Sequence, residues 1–226
     1  MATTSYQPVP LPDYVELPVD EMRQQAADYL ELVRRRHTVR EFSSRAVPRD
    51  IIASCIAAAA TAPNGANHQP WHFAVVSDAE KKNRIRVGAE EEERAFYAGR
   101  AGEEWLEALR PLGTNPEKPF LDIAPWLIVV FGERRSRSAD GKLRKNYYVP
   151  ESVSIAVGFL LLGLHSAGLA TLTHTPSPMG FLNEICGRPQ QDKPYFLIAT
   201  GYPAEDATIP QHALEKRPMD EIVSWI

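Results

Sequence analysis

The apolar positions of this chain fall into four short runs of strand length, separated by longer stretches with a helical period. Residues 72–78 (HFAVVSD), 126–132 (WLIVVFG), 169–176 (LATLTHTP) and 195–203 (YFLIATGYP) are rich in β-branched and aromatic residues, and each reads as a buried strand. Between them the spacing predicts helices. Asp20 caps one running to about Arg35, with Met22, Ala26, Tyr29, Leu30 and Val33 roughly on one face. A second, about Arg49 to Thr61, is alanine-rich (Ala57 to Ala60) and suited to close packing on a neighbour, with Pro48 in its first turn. Residues 79–110 form one or two helices, Tyr148 to Ala167 a largely apolar one, and 178–187 one that ends at Gly187. The C-terminal MDEIVSWI is short, amphipathic and reads as a strand. Helices alternating with short buried strands predict an α/β or α+β sandwich. Residues 1–19, with Pro8, Pro10, Pro12 and Pro18, read as an extended arm, and 20–226 as one domain.

At 226 residues and 44% hydrophobic, the chain can bury a sizeable core, which excludes wholesale disorder. The formal net charge is −4, the wrong sign for a nucleic-acid-binding module, leaving room only for local basic patches. The longest apolar stretch, Ile155 to Leu164, is too short to span a bilayer, and no leader pattern opens the chain, so a cytoplasmic protein is expected. Cys55 and Cys186 form no metal or redox pattern and read as buried thiols. The six histidines are scattered, His165 reading as a core residue, and no metal site is expected. Phosphate-loop, dinucleotide and nucleophile-elbow motifs are all missing from the sequence.

Some chemistry is present. In an extended chain Arg36, Thr38 and Arg40 point the same way, so two guanidiniums and a hydroxyl converge on one ligand. Such a set suits a phosphate or a ring that becomes anionic on reduction; a surface ion-pair patch fits the spacing equally well. Thr173 and Thr175 share one face of a strand end before Pro176. The charged stretch Glu90 to Arg94 reads as a solvated helix face, although Glu93 and Tyr97 lie at i and i+4. Lys118 sits among Pro116, Pro119 and Pro125, on a constrained connection outside any helix. The loop at 62–71 carries Asn64-Gly65, a turn signal.

RHTVREFSSRAVP, APNGANHQPWHFAVVSD, AGLATLTHTP, GYPAEDATIP and KRPMDEI resemble, in that order, the nitroreductase-like flavoprotein superfamily. Within it, AEEEERAFY and EEWLEALRPLGTNPEKPFLDIAPWLIVVF resemble the iodotyrosine deiodinase family. The resemblance runs from about Arg34 to the C-terminus. It implies an α+β three-layer sandwich, a central mixed sheet flanked by helices, and a homodimer with an exchanged C-terminal strand or arm. Two FMN molecules would lie at the interface, each site built from both chains. By the same resemblance Arg36, His37, Thr38 and Arg40 form the first FMN-binding block, and Asn64 and Gly65 a loop from the other subunit. Thr173, His174 and Thr175 reach the flavin, Thr175 being the catalytic hydroxyl near N5. Lys216 or Arg217 holds the phosphate; Asn64 stands where animal relatives carry serine, and Lys216 where relatives often carry arginine. Glu93, Tyr97 and Lys118, on a lid of about 90–118, would hold an amino-acid zwitterion, with the Ala66 amide at the substrate phenolate. The implied activity is reductive dehalogenation of halotyrosines through one-electron flavin steps, with NAD(P)H or a reduced redox protein as donor. A broad nitroaromatic or quinone reductase and a non-catalytic flavin sensor are the alternatives.

Overall fold

The computed structural model describes residues 6–138 and 141–226. By contacts the chain divides into two units, Met1–Arg35 and Arg36–Ile226. In the first, residues 6–18 carry no helix or strand, and α1 (Val19–Arg34) follows. Asp20 is not the cap. Pro18 occupies that position, and Asp20 lies in the first turn, where it accepts from Arg23 at 2.8 Å.

The second unit is built on a four-stranded sheet of β1 (Trp71–Val76), β2 (Trp126–Glu133), β5 (Ala170–His174) and β6 (Asp192–Gly201). The strand order is β1-β2-β6-β5 and every named pair is antiparallel; the parallel component is a single bridge, Thr38 to Thr171. The central strands read as unbroken apolar runs because both faces of the sheet are covered. Leu127, Val129, Phe131, Leu197 and Ala199 point to one core. There they meet α3 (Ala79–Ala95), α5 (Phe120–Ile123) and α7 (Phe181–Ile185) through Ile85, Leu121 and Leu182. Ile128, Val130 and Ile198 point to the other, against α2 (Arg49–Ala59) and α6 (Val149–Ser166). This is the three-layer sandwich. The small residues of α2 let it lie close on α6, with ordinary contact between Cys55 and the Cβ position of Gly163.

Helix α6 is long and apolar enough, at 18 residues, to cross a membrane by length and composition alone. One of its faces, from Val149 through Val153 and Leu160 to Leu164, is core. Its other face leaves Ile155 and Phe159 exposed at 41% and 42%.

The segment from 79 to 110 breaks in two. After α3 comes one π-type turn, Phe96–Arg100, then α4 (Glu103–Leu109), with Gly99 and Gly102 at positive φ marking the break. Two short strands escaped the pattern, β3 (Arg135–Arg137) and β4 (Leu143–Lys145), because they are polar and only three residues long. At the C-terminus, residues 219–222 form a short helix, α8 (Met219–Ile222), and not a strand; 223–226 belong to no helix or strand. An amphipathic tetrapeptide after Pro218 closes a helical turn locally, whereas a strand needs an edge to pair with. Both cysteines are free, Cys55 buried and Cys186 partly so. His165 is half-buried, not a core residue, because it lies in the last turn of α6.

Candidate active site

The segment after Arg36 runs along the end of the sheet. Thr38 bridges Thr171, the Val39 N–H donates to the Thr171 carbonyl at 3.1 Å, and the Ser43 N–H to that of Tyr202 at 2.9 Å. This brings Arg40 to a cavity of about 760 Å³ that Thr173, His174 and Thr175 also line. Strand alternation sets their directions. Leu172 and His174 are buried, and Leu172 belongs to the α3-side core, while Thr173 and Thr175 are exposed on the other side. Arg40 is half-buried and has no ion-pair partner among the described residues. Burial pulls its pKa down, with Tyr97 opposing.

His174 is 9% exposed, and its ring meets the Phe120 ring edge-on at 6.1 Å. Burial, then Lys118, then Arg40 lower its pKa to about 3, so the imidazole is neutral at physiological pH. Its Nε2 is buried with no hydrogen-bond partner among the described residues. A buried unpaired polar atom on a cavity wall calls for an occupant.

The upper wall is drawn from the segment between Glu93 and Lys118. Lys118 is 6% exposed, although it lies outside any helix. Its Nζ is 3.0 Å from Glu93 Oε2, donates to the Asn115 carbonyl, and stands 5.9 Å from the centre of the Tyr97 ring. An ammonium has three N–H groups, so one is left for a ligand, as is the second oxygen of Glu93. The Tyr97 hydroxyl donates to Thr114 Oγ1 at 2.7 Å. Phe96 packs edge-on to Tyr97 and Trp105, adding an aromatic rim.

Glu90 is not on a solvated face. It is 7% exposed, and its Oε1 accepts from Arg86 Nε and from the Lys118 backbone N–H, each at 2.8 Å. Burial alone pushes its carboxyl up, but the Arg86 and Lys118 hydrogen bonds outweigh this and hold it below the ordinary value. Arg86 also reaches Asp122 at 2.8 Å. Residues 90 and 118 are thereby tied together, which seats Lys118 under Glu93. The Arg86/Glu90 spacing was the only hint of this anchor in the sequence.

The remaining candidates do not line this cavity in one chain. The Asn64-Gly65 turn is not built as its sequence suggests: Ala66, Asn67 and Gln69 carry the positive φ values, and Gly65 does not. Gly65 is small for another reason, since a Cβ there would stand 2.7 Å from the Tyr147 carbonyl oxygen. Three non-glycine residues at positive φ within four positions store strain in this loop. Elsewhere, burial first and then Arg36, Lys216 and His165 lower the pKa of His37, so the Arg36 and Lys216 cations lie near its ring. Lys216 donates to the Ala213 carbonyl. Arg217 is engaged with Glu221, through its carboxylate at 3.2 Å and its carbonyl at 2.9 Å.

The nitroreductase family model matches residues 33–202. An iodotyrosine deiodinase of Haliscomenobacter hydrossis is 53% identical over 84% of this chain and 86% of that protein. The chain belongs to the nitroreductase family, among the iodotyrosine deiodinases. Iodotyrosine deiodinase 1 of Mus musculus is 42% identical over 93% of this chain and 73% of its own length. A crystal structure of oxidized iodotyrosine deiodinase bound to FMN and 3-iodo-L-tyrosine superposes with a TM-score of 0.71 at 32% identity, covering 87% of this chain and 97% of that one. The family sequence blocks supply Arg40, Thr173, Thr175, Glu93, Tyr97 and Lys118 to the cavity wall; the parts played by Trp105 and Thr114 on that wall, and by Glu90 behind it, come from the structure.

Proposed function

We propose that this protein is an FMN-dependent reductive dehalogenase of halotyrosines. One observation carries the reading: a buried Glu93–Lys118 ion pair beside Tyr97 lines the same cavity as Arg40, Thr173 and Thr175. The names of the relatives support it. The chemistry of the residues fits FMN. Arg40, partly desolvated and unpaired among the described residues, suits the anionic edge of a reduced ring. The Arg36, His37 and Lys216 neighbourhood suits a phosphate. Lys216 is the better phosphate residue of the two named, since Arg217 is committed to Glu221. Asn64, Gly65 and Ala66 lie apart from the cavity wall, which agrees with a site completed by a second copy. The exposed Ile155 and Phe159 on α6 give a homodimer an apolar face to bury.

Bound FMN supplies electrons one at a time. The overall change is Ar–I + 2e⁻ + H⁺ → Ar–H + I⁻. The chain's residues position this reaction. The free oxygen of Glu93 accepts from the substrate ammonium; the third N–H of Lys118 donates to the substrate carboxylate, joined by the Tyr97 hydroxyl once it turns from Thr114 Oγ1 to the ligand. Thr175 presents a hydroxyl to the reacting face, and the Ala66 amide serves the phenolate. Glu90 holds the Lys118 end of the lid, and closure of the lid over the substrate excludes water. NAD(P)H or a reduced redox protein provides the electrons from outside.

The test is anaerobic. Holoenzyme reduced with dithionite is mixed with 3-iodotyrosine, and iodide and tyrosine are measured against flavin oxidised. One iodide and one tyrosine per flavin support the reading; flavin that stays reduced overturns it. A nitroarene reductase would reoxidise with nitrobenzene but ignore iodotyrosine.

A further inference from the structure

We infer that the paired strands β3 and β4 form the docking surface for an acidic electron-carrier protein; this rests on the flavin-dependent reading above. Six basic residues and one acid, Asp140, fall within residues 134–145 of a chain whose net charge is −4. Arg134, Arg135, Arg137, Arg144 and Lys145 are all exposed, and none forms an ion pair among the described residues. The strand register sets Arg135 directly opposite Lys145. Like charges in that position destabilise a two-stranded ribbon, so the fold keeps a repulsion that an acidic partner would relieve. Glu133, which immediately precedes this segment, is already held by Arg188 at 3.0 Å.

The strand pair is also joined to the loop proposed for the flavin. Asn146, at the end of β4 and 4% exposed, accepts from Ser136 at 3.1 Å and donates to the Glu133 carbonyl at 2.9 Å. The same Asn146 oxygen lies 3.0 Å from His68 Nδ1. The next residue, Tyr147, leaves no room for a Cβ on Gly65. A carrier seated on the strand pair is thus held beside residues 64–68.

The reaction needs two electrons from outside. Five fixed cations spread over both strands exceed what one nucleotide phosphate engages, and they match an extended acidic surface. A low-potential one-electron carrier, flavin or iron–sulfur, gives one electron in each of two encounters and is itself oxidised by one electron each time. Arg135, Arg137 and Lys145 are the residues to test, being outside the cavity wall and the loop.

The experiment compares holoenzyme with the triple variant Arg135→Gln, Arg137→Gln, Lys145→Gln. Stopped-flow absorbance follows reduction of the bound flavin by a reduced flavodoxin of net negative charge. For the native chain the second-order rate should fall about tenfold or more as salt rises from about 20 to about 300 mM. The variant should be slower by about tenfold at low salt and nearly salt-independent. Dithionite-driven deiodination should be equal in the two proteins. A flavodoxin rate equal in both proteins overturns the inference. So does direct reduction by NADPH at a rate that outpaces the carrier. Loss of binding to anionic phosphatidylserine vesicles with the carrier rate unchanged would assign the patch to a membrane and also overturn it. Failure of dithionite-driven deiodination in both proteins refutes the dehalogenase reading instead, so the two failures are distinct.

Discussion

Replacing Glu93 with Gln keeps the shape of the side chain and removes its charge. Glu93 Oε2 is 3.0 Å from Lys118 Nζ, with side chains 15% and 7% exposed, so water screens the pair little. At an effective dielectric of about 20, unit charges at that separation attract by roughly 5.5 kcal/mol before desolvation. Removing one partner of a buried pair typically costs about 3–5 kcal/mol, part of it stability and part binding. The share that belongs to the ligand is one charged hydrogen bond, about 1.5–3 kcal/mol, or roughly a ten- to hundredfold rise in Kd. The assay is quenching of flavin fluorescence by 3-iodotyrosine in the holoenzyme, beside the same titration with N-acetyl-3-iodotyrosine, which lacks the ammonium. In the native chain the acetylated ligand should bind more weakly by a similar factor. In E93Q it should lose little more, because one interaction cannot be removed twice. An iodotyrosine Kd within about threefold of the native value would refute the zwitterion clamp. So would equal losses for the two ligands, which would mean that only the lid had loosened.

Glu90→Gln should unfasten the lid, costing about 1–3 kcal/mol and lowering Tm by several degrees, read by differential scanning calorimetry. Because the Glu90 pKa is depressed in the fold, its contribution is present above the ordinary carboxylate pKa and lost as pH falls through the folded value. The E90Q and native Tm values should therefore converge at low pH. His174, lowered to about 3, behaves alike in sign: it favours the fold above the ordinary histidine pKa of about 6.5, and that contribution shrinks as pH falls toward 3. His174→Gln should flatten the acid limb of the Tm-versus-pH curve, and an unchanged limb counts against a buried neutral imidazole. Gly65→Ala forces a Cβ against the Tyr147 carbonyl, so Tm should drop by an amount equivalent to about 1–3 kcal/mol and FMN affinity should weaken, as measured by equilibrium dialysis. Lys216→Ala should weaken FMN binding more than Arg217→Ala does in the same assay.

The layers were legible along the chain before any folding was considered. WLIVVF reads as one unbroken apolar run because both faces of a central strand are covered, and β2 sends Leu127, Val129 and Phe131 to one core and Ile128 and Val130 to the other. The alternation in TLTHT likewise placed Thr173 and Thr175 together, since side-chain direction in a strand is a local property. What the sequence did not reveal was set by partners far along the chain. Glu90 lies in a run of four glutamates, and its burial with the Lys118 backbone, 28 residues away, beside the local Arg86 bond, separates it from a solvated neighbour. Gly65 looked like a turn glycine, yet its smallness answers Tyr147 across 82 positions, while the left-handed residues are Ala66, Asn67 and Gln69. The basic strand pair was too short and polar to show a period, and its register, with Arg135 facing Lys145, exists only once the strands pair. Period and propensity act over a few residues and can be read in order, whereas desolvation, close approach and charge pairing depend on what folding brings alongside.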